Sequence, residues 1–279
     1  MSLSLSSLSF ASVKPKVIYG EDNRVDLYET QAIYAELAMS TAAMISGSNL
    51  DLETGRYVIS GSTLESRGIC TEERFADQIT PAVCSGFLVG EDLLVTAGHC
   101  VTNQSDCDSY RWVFDFATTS ANQQDYQVPV NSVYECKEIV ERAFGLGVND
   151  DYSLIRLDRK VKDRRVLSFR KSGKISINAE LLVIGHPTGL PVKIADGAYV
   201  RDASPSAYFT TNLDTFAGNS GSAVFNVDTL KVEGILVRGA QDYAYDGDKN
   251  CKVPNVCEMN ECDGEDVTRI TNIRALKNL

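Results

Sequence analysis

Three short segments of this chain carry side chains that combine into one chemistry. "TAGHC" (96–100) presents His99, one of only 2 histidines in 279 residues. "NDDYSLIRL" (149–157) places two adjacent acids before an alternating apolar run, and "GNSGSAVF" (218–225) sets Ser220 among glycines. A serine hydroxyl is a feeble nucleophile near neutral pH and needs a base within hydrogen-bond reach. An imidazole, with an unperturbed pKa of ~6.5, is suited to take that proton. A buried carboxylate then holds the ring in the right tautomer and stabilises the imidazolium. Glycines beside the serine let the backbone turn N–H groups toward an oxyanion, and one such donor is typically worth ~2.7–4 kcal/mol in the transition state.

The elements that must position these residues are mostly short and strand-like. "SGFLVG", "LLVTAG", "RWVFDF", "YQVPVNSVYEC", "YSLIRL", "LLVIGH", "GSAVFN" and "VEGILVRG" are apolar runs of strand length bounded by Gly, Asn, Asp or Pro. Helical periodicity is confined to 26–45, where Leu27, Ala32, Ile33, Leu37 and Met44 share a face for part of the span. The stretch "DVTRITNIRAL" fits a short C-terminal helix or a strand equally well. Many short strands imply an all-β sandwich or barrel assembly rather than βαβ units. No internal repeat is visible, and 158–175 is the best candidate for a connection between two halves. Chain order also discriminates. An α/β-hydrolase runs Ser, acid, His through a G-x-S-x-G turn, whereas here the order is His, Asp, Ser, and Ser222 stands two beyond Ser220.

Bulk properties narrow the partners. The formal net charge of −11 repels phosphate backbones, which argues against nucleic acid. The one basic run, "RLDRKVKDRR" (156–165), is interrupted by acids and reads as a solvated loop. The 8 cysteines are an even number without any C-x-x-C pair, and histidine is scarce, so disulfides in an oxidising compartment are favoured over metal binding. No apolar run approaches the ~20 residues of a spanning helix. The first 11 residues, from "MSLSLSSLSFASVKPK", read as the remnant of a signal peptide or as added expression sequence.

In this order and spacing, "TAGHC", "DYSLIRL" and "GNSGS" resemble the three catalytic boxes of the trypsin/chymotrypsin superfamily of serine proteases. The likeness extends over about 40–275. It implies two six-stranded antiparallel β-barrels: an N-terminal segment over 12–45, a first barrel over 46–165 with His99 and Asp151, and a second over 166–279 with Ser220. It further implies His99, Asp151 and Ser220 as the triad. Asp150 would break the register of the box Asp151-Tyr152-Ser153-Leu154-Ile155-Arg156-Leu157. The backbone N–H groups of Gly218 and Ser220 become the oxyanion donors. Cys84 and Cys100, 16 residues apart, become the disulfide that anchors the histidine loop. Cys107 and Cys136 form a candidate pair, and one of Cys251, Cys257 and Cys262 is expected to reach Cys70.

Two departures bear on the branch. Asn219 replaces the aspartate that receives the new N-terminal amine in animal zymogens, so that activation switch is expected to be absent. Asn219 and "VIYGEDNR" (17–24) resemble the glutamyl-endopeptidase branch. This suggests a mature chain starting after Lys16, with a start near Ser12 as the alternative. For substrate binding, Asp214 stands six residues before Ser220, at the spacing where trypsin-like enzymes place the acid for Arg or Lys; Thr215 and Ala217 share its loop. Val237, Arg238 and Gly239 are expected to line the cleft and pair with an extended substrate. The histidine that glutamyl enzymes carry on this strand is missing, so basic, acidic and other preferences stay open. His186, in "GHP", is assigned a structural or surface role.

The expectation is therefore a secreted or periplasmic, monomeric serine endopeptidase. It acts on polypeptide substrates, with no metal or organic cofactor and no membrane span. A catalytically silent binding protein on the same fold, or an esterase on the same site, are the alternatives.

Overall fold

The structure is a computed structural model that describes residues 18–145, 149–239 and 241–279; the expectations about the leader and the mature start fall on residues 1–17 and lie outside it. Twelve strands form two barrels. The first uses Thr41–Ser46 (β1), Ala82–Gly90 (β2), Leu93–Thr96 (β3), Tyr110–Phe114 (β4), Val133–Ala143 (β5) and Tyr152–Leu157 (β6). The second uses Glu180–Gly185 (β7), Lys193–Asp202 (β8), Tyr208–Thr211 (β9), Ala223–Asn226 (β10), Val232–Arg238 (β11) and Glu265–Arg269 (β12). The first closes in the order β5-β6-β3-β2-β1-β4 and the second in the order β7-β10-β11-β12-β9-β8, every neighbour antiparallel. Counted from the first strand of each, the two circuits are the same. All-β architecture with two six-stranded barrels is thus what the chain adopts.

The apolar runs are continuous rather than alternating because most barrel strands are buried on both faces. In β7, Leu181 and Val183 point into the second-barrel core with Phe209 and Val267, while Leu182 and Ile184 join Trp112, Phe87 and Phe225 in the core shared by the barrels. In β1, Ala42 and Met44 face that shared core, while Ala43 and Ile45 pack with Phe116 and Tyr126 on the opposite face. Each fully buried Leu, Ile or Phe contributes roughly 1.5–3 kcal/mol.

The helical stretch expected over 26–45 is only partly helical: the α-helix is Ala32–Ala38, Leu27 lies in a 3₁₀ turn, and Met44 belongs to β1. A strand buried on both faces mimics a helical stripe in a short window. The first barrel therefore begins at Thr41, inside the segment set apart as N-terminal. Val25–Asp26 adds a further strand to β8, with Lys193 opposite Asp26. There Lys193 Nζ donates to Asp26 Oδ1 (2.6 Å) and Gln78 Oε1 (2.7 Å) in a buried cluster. At the other end, both readings of "DVTRITNIRAL" apply in sequence: β12, then 3₁₀ turns Ile270–Asn272 and Arg274–Asn278.

All eight cysteines are paired: Cys70–Cys251, Cys84–Cys100, Cys107–Cys136 and Cys257–Cys262. Cys251 is the member of the C-terminal cluster that reaches Cys70. It sits on a hairpin, Tyr243–Asp246 with Cys251–Pro254, and ties that hairpin to the loop ahead of β2.

Candidate active site

His99 follows β3 in a loop that crosses the ends of β5 and β6. Gly98 is required there, because a Cβ would lie 2.4 Å from the Ala143 carbonyl oxygen and 2.8 Å from that of Tyr152. The crossing brings His99 over Asp151 at the start of β6. The His99 backbone N–H donates to Asp151 Oδ1 (3.1 Å), and ring Nδ1 lies 2.8 Å from Oδ2. With Nδ1–H donating, Nε2 is left as the acceptor, the tautomer a general base requires. The carboxylate is buried (side chain 6 % exposed), while the ring stays accessible at 31 %. Asp150 is turned away, to Asn272 Nδ2.

Ser220 lies on the turn into β10. Gly218 and Gly221 flank it with φ of 93° and 89°. Close packing also forbids side chains at both: a Cβ on Gly221 would meet the Ser85 carbonyl oxygen at 2.0 Å, and one on Gly218 the His186 carbonyl oxygen at 2.6 Å. The Ser220 carbonyl accepts from Ser85 N–H (2.8 Å) and lies 3.7 Å from Cys100 Sγ. A ring nitrogen of His99 is within 4.8 Å of both sulfurs of the Cys84–Cys100 disulfide. The disulfide thus stands between the histidine loop and the serine turn. His99 and Ser220 share no side-chain hydrogen bond; the ring of His99 is bonded to Asp151. Among the described residues, nothing in the chain accepts from the N–H of Gly218 or of Ser220.

Ser85 is a residue that the sequence did not single out. Its buried Oγ accepts from the His186 backbone N–H (2.9 Å) and donates to the Gly218 carbonyl (2.8 Å). With its own N–H on the Ser220 carbonyl, it holds the turn at both ends. His186 lies behind this arrangement, buried, with Nδ1–H donating to the Leu190 carbonyl (3.0 Å) and the ring stacked on Phe116. Burial pushes it down to about 3, so it stays neutral. Its role is structural, and it is not a surface residue.

Beside Ser220 opens a cavity of about 280 Å³, walled by Thr215, Ala217, Leu236, Val237 and Gly239 with Arg238 at its edge. Five of the expected lining residues are therefore present: Thr215, Ala217, Val237, Arg238 and Gly239. Asp214 is not among them. Its carboxylate faces the N-terminal segment and accepts from the backbone N–H groups of Tyr19 (2.8 Å) and Asn23 (2.9 Å). Burial, against these two donors, pushes it up to about 6. Asn219 is buried and accepts from Ser222 Oγ (3.2 Å). A carboxylate does anchor the N-terminal segment, then, but it is Asp214, through amides. The acids that reach the cavity are Glu265 on β12 and Asp242. Neither has a local sequence signal; strand pairing, Thr211 opposite Glu265, brings the former in. Arg238 points out to Asp266 (3.7 Å) and does not neutralise Asp214. The pairing of β11 with β10 ends at Ile235, leaving Val237–Gly239 with one edge unmatched by a strand among the described residues.

Two six-stranded antiparallel barrels of matching circuit define a chymotrypsin-like fold. A family model described as a trypsin-like peptidase domain matches residues 84–235, more than half of the chain and inclusive of His99, Asp151 and Ser220. The chain belongs to the trypsin-like peptidase family. Among solved structures it is similar to a Glu endopeptidase (TM-score 0.53, 15 % identity, 94 % of this chain and 100 % of that one). It is also similar to the Vibrio cholerae VesB protease (TM-score 0.51, 12 % identity, 91 % and 65 %). A third is the Rv3671c protease in its inactive form (TM-score 0.50, 13 % identity, 88 % and 90 %). At these identities the likeness speaks for the fold. No curated protein sequence matches the chain.

Proposed function

We propose that this protease is a serine endopeptidase of the His99–Asp151–Ser220 type. Asp151 orients His99, and His99 Nε2 takes the proton of Ser220 Oγ as it attacks the peptide carbonyl. The N–H groups of Gly218 and Ser220 receive the oxyanion, and His99 returns the proton to the leaving amine. Water then resolves the acyl-enzyme through the same base. An extended substrate pairs its backbone with Val237–Gly239. The observation that carries the reading is the double grip of Asp151 on His99, one oxygen on the backbone N–H and one on Nδ1, facing a serine turn with two uncommitted N–H donors.

Four disulfides support action in an oxidising compartment, secreted or periplasmic. The direct test is hydrolysis of a quenched-fluorescence peptide library by the wild type and by Ser220→Ala. Turnover by the first and none by the second is expected. Peptide binding without turnover would establish the silent relative instead, and turnover of short esters alone would establish the esterase.

A further inference from the structure

We infer that Asp242 and the disulfide-anchored hairpin it leads into hold the Ala217–Gly218 peptide unit in the orientation that presents the Gly218 N–H to an oxyanion. Asp242 is then a positioning residue, acting on the reaction through Ala217. The inference rests on the endopeptidase reading above and names what sets one of its two donors.

Phe216 to Asn219 form a turn closed by the Asn219 N–H on the Phe216 carbonyl (2.9 Å). Gly218 occupies its third position with φ of 93°, as in a type II turn. Type I and type II turns differ in which way the peptide unit between the two central residues faces, and here that unit carries the Gly218 N–H. Turned over, it would aim the Ala217 carbonyl at the oxyanion in place of a donor. Glycine tolerates either sign of φ, so the residue itself does not decide the orientation. Burial does not decide it either, because Ala217 is exposed. Hydrogen bonds from outside the turn are left to do so.

Two such bonds flank the unit. The Thr188 N–H donates to the Ala217 carbonyl (2.5 Å). In a trans peptide the N–H points opposite to the carbonyl, so the Gly218 N–H faces away from Thr188. The Ala217 N–H in turn donates to Asp242 Oδ2 (2.9 Å). Both holders lead to one hairpin. Tyr243 follows Asp242, its hydroxyl shares a hydrogen bond with Thr188 Oγ1 (2.8 Å), and its ring packs on Phe216. Thr188 has φ of 54°, a costly conformation for a β-branched residue that persists only where its surroundings impose it. The hairpin is anchored in its turn. Cys251 is bridged to Cys70, the Lys252 N–H donates to the Gly68 carbonyl (2.9 Å), and the Cys70 N–H donates to the Lys252 carbonyl (3.0 Å). From the same loop, Arg67 Nη1 donates to the Thr188 carbonyl (2.9 Å) and closes a ring of contacts around the turn.

The test pairs Asp242→Ala with Asp242→Asn, which keeps an oxygen for the Ala217 N–H but no charge. Asp242→Ala is expected to lower kcat by about 10-fold or more with KM for a short peptide within about twofold, and Asp242→Asn to recover most of that loss. The acyl-enzyme formed from cinnamoyl imidazole reads the donor directly. Infrared difference spectroscopy should place its carbonyl stretch at higher frequency in Asp242→Ala than in the wild type, and near the wild-type position in Asp242→Asn. Cys70→Ala/Cys251→Ala, assayed well below its melting temperature, should move kcat and the carbonyl band in the same direction as Asp242→Ala. An unchanged kcat in Asp242→Ala, or a lower kcat with an unmoved band, would overturn the inference. Asp242→Asn behaving like Asp242→Ala would also overturn it, because charge and not the hydrogen bond would then be at work. Wild-type values in the double cysteine variant would overturn the part given to the hairpin. All of these results leave the endopeptidase reading standing. If cinnamoyl imidazole fails to acylate Ser220 of the wild type, that reading fails and the inference falls with it.

Discussion

The side chains with chemical potential are held by their neighbours' hydrogen bonds as much as by their own strands. Ser85 illustrates the point. It touches no substrate in the proposed reaction, yet its hydroxyl links His186 to the carbonyl of Gly218, and its N–H holds the carbonyl of Ser220. The peptide unit that carries the Ser220 N–H lies between the two whose carbonyls Ser85 holds, so Ser85 fixes the turn on both sides of a proposed oxyanion donor. Ser85→Ala should therefore lower kcat by about 10-fold or more while KM for a short peptide stays within about twofold, read by steady-state kinetics. A proportional rise in KM instead would assign Ser85 to substrate binding. The proposed roles of His99, Asp151 and Ser220 were readable because each residue sits in a string whose neighbours are dictated by local constraints: the glycine at 98, the alternating strand after Asp151, the glycines around Ser220. The place of Glu265 on the cavity wall was not legible. Nothing within several residues of it concerns the cleft, and only the pairing of β9 with β12 and of β11 with β12 carries it there.

At the scale of elements, the stretch from Ile18 to Asp26 acts as a strap on the second barrel. Ile18 and Tyr19 pair with Val256 and Cys257, Val25 and Asp26 pair with β8, and Arg24 stacks on Phe216 beside the cavity loop. Asp214 pins the middle of the strap, and its environment makes the attachment sensitive to pH. Its carboxyl is raised from 3.8 to about 6 by burial. A carboxyl raised in the folded state contributes stability that is complete below its unfolded value, and that contribution is lost as the pH climbs through the folded one. The window is therefore about pH 4 to 6, with a span of up to about 3 kcal/mol. Asp214→Asn should flatten the fall in melting temperature between pH 4 and pH 7 relative to the wild type, measured by differential scanning calorimetry in matched buffers. The sequence misled here in an instructive way. Six residues before the nucleophile is a position whose chemistry depends on what packs behind the loop, and here a strap of the chain's own backbone fills that place. The stretch that follows the strap, 26–45, is less helical than its periodicity suggests, since a strand with two buried faces and a helix stripe look alike over so short a run.

For the whole molecule, two barrels with one strand circuit meet along a shared core, and the candidate triad spans their boundary: His99 and Asp151 from the first, Ser220 from the second. The repeat in strand order has no counterpart in the residues, because a barrel asks only for strand-length apolar runs and turns, which many sequences satisfy. The class of fold was therefore readable from pattern, while the pairing of strands came only with the resemblance of the three boxes. Cys70–Cys251 spans 181 residues and joins a loop ahead of β2 to a hairpin after β11. Replacing both by alanine should lower stability by about 2–4 kcal/mol in guanidinium unfolding, with a smaller effect counting against a role in uniting the two halves.

The proposed reaction turns on one serine made reactive by one histidine across that boundary. Site-resolved mass spectrometry after treatment with a fluorophosphonate tests this most directly. The prediction is a single covalent adduct on Ser220 in the wild type and a labelling rate at least about 10³-fold slower in His99→Ala. An adduct on another residue, or a rate on Ser220 that His99→Ala leaves unchanged, would contradict it.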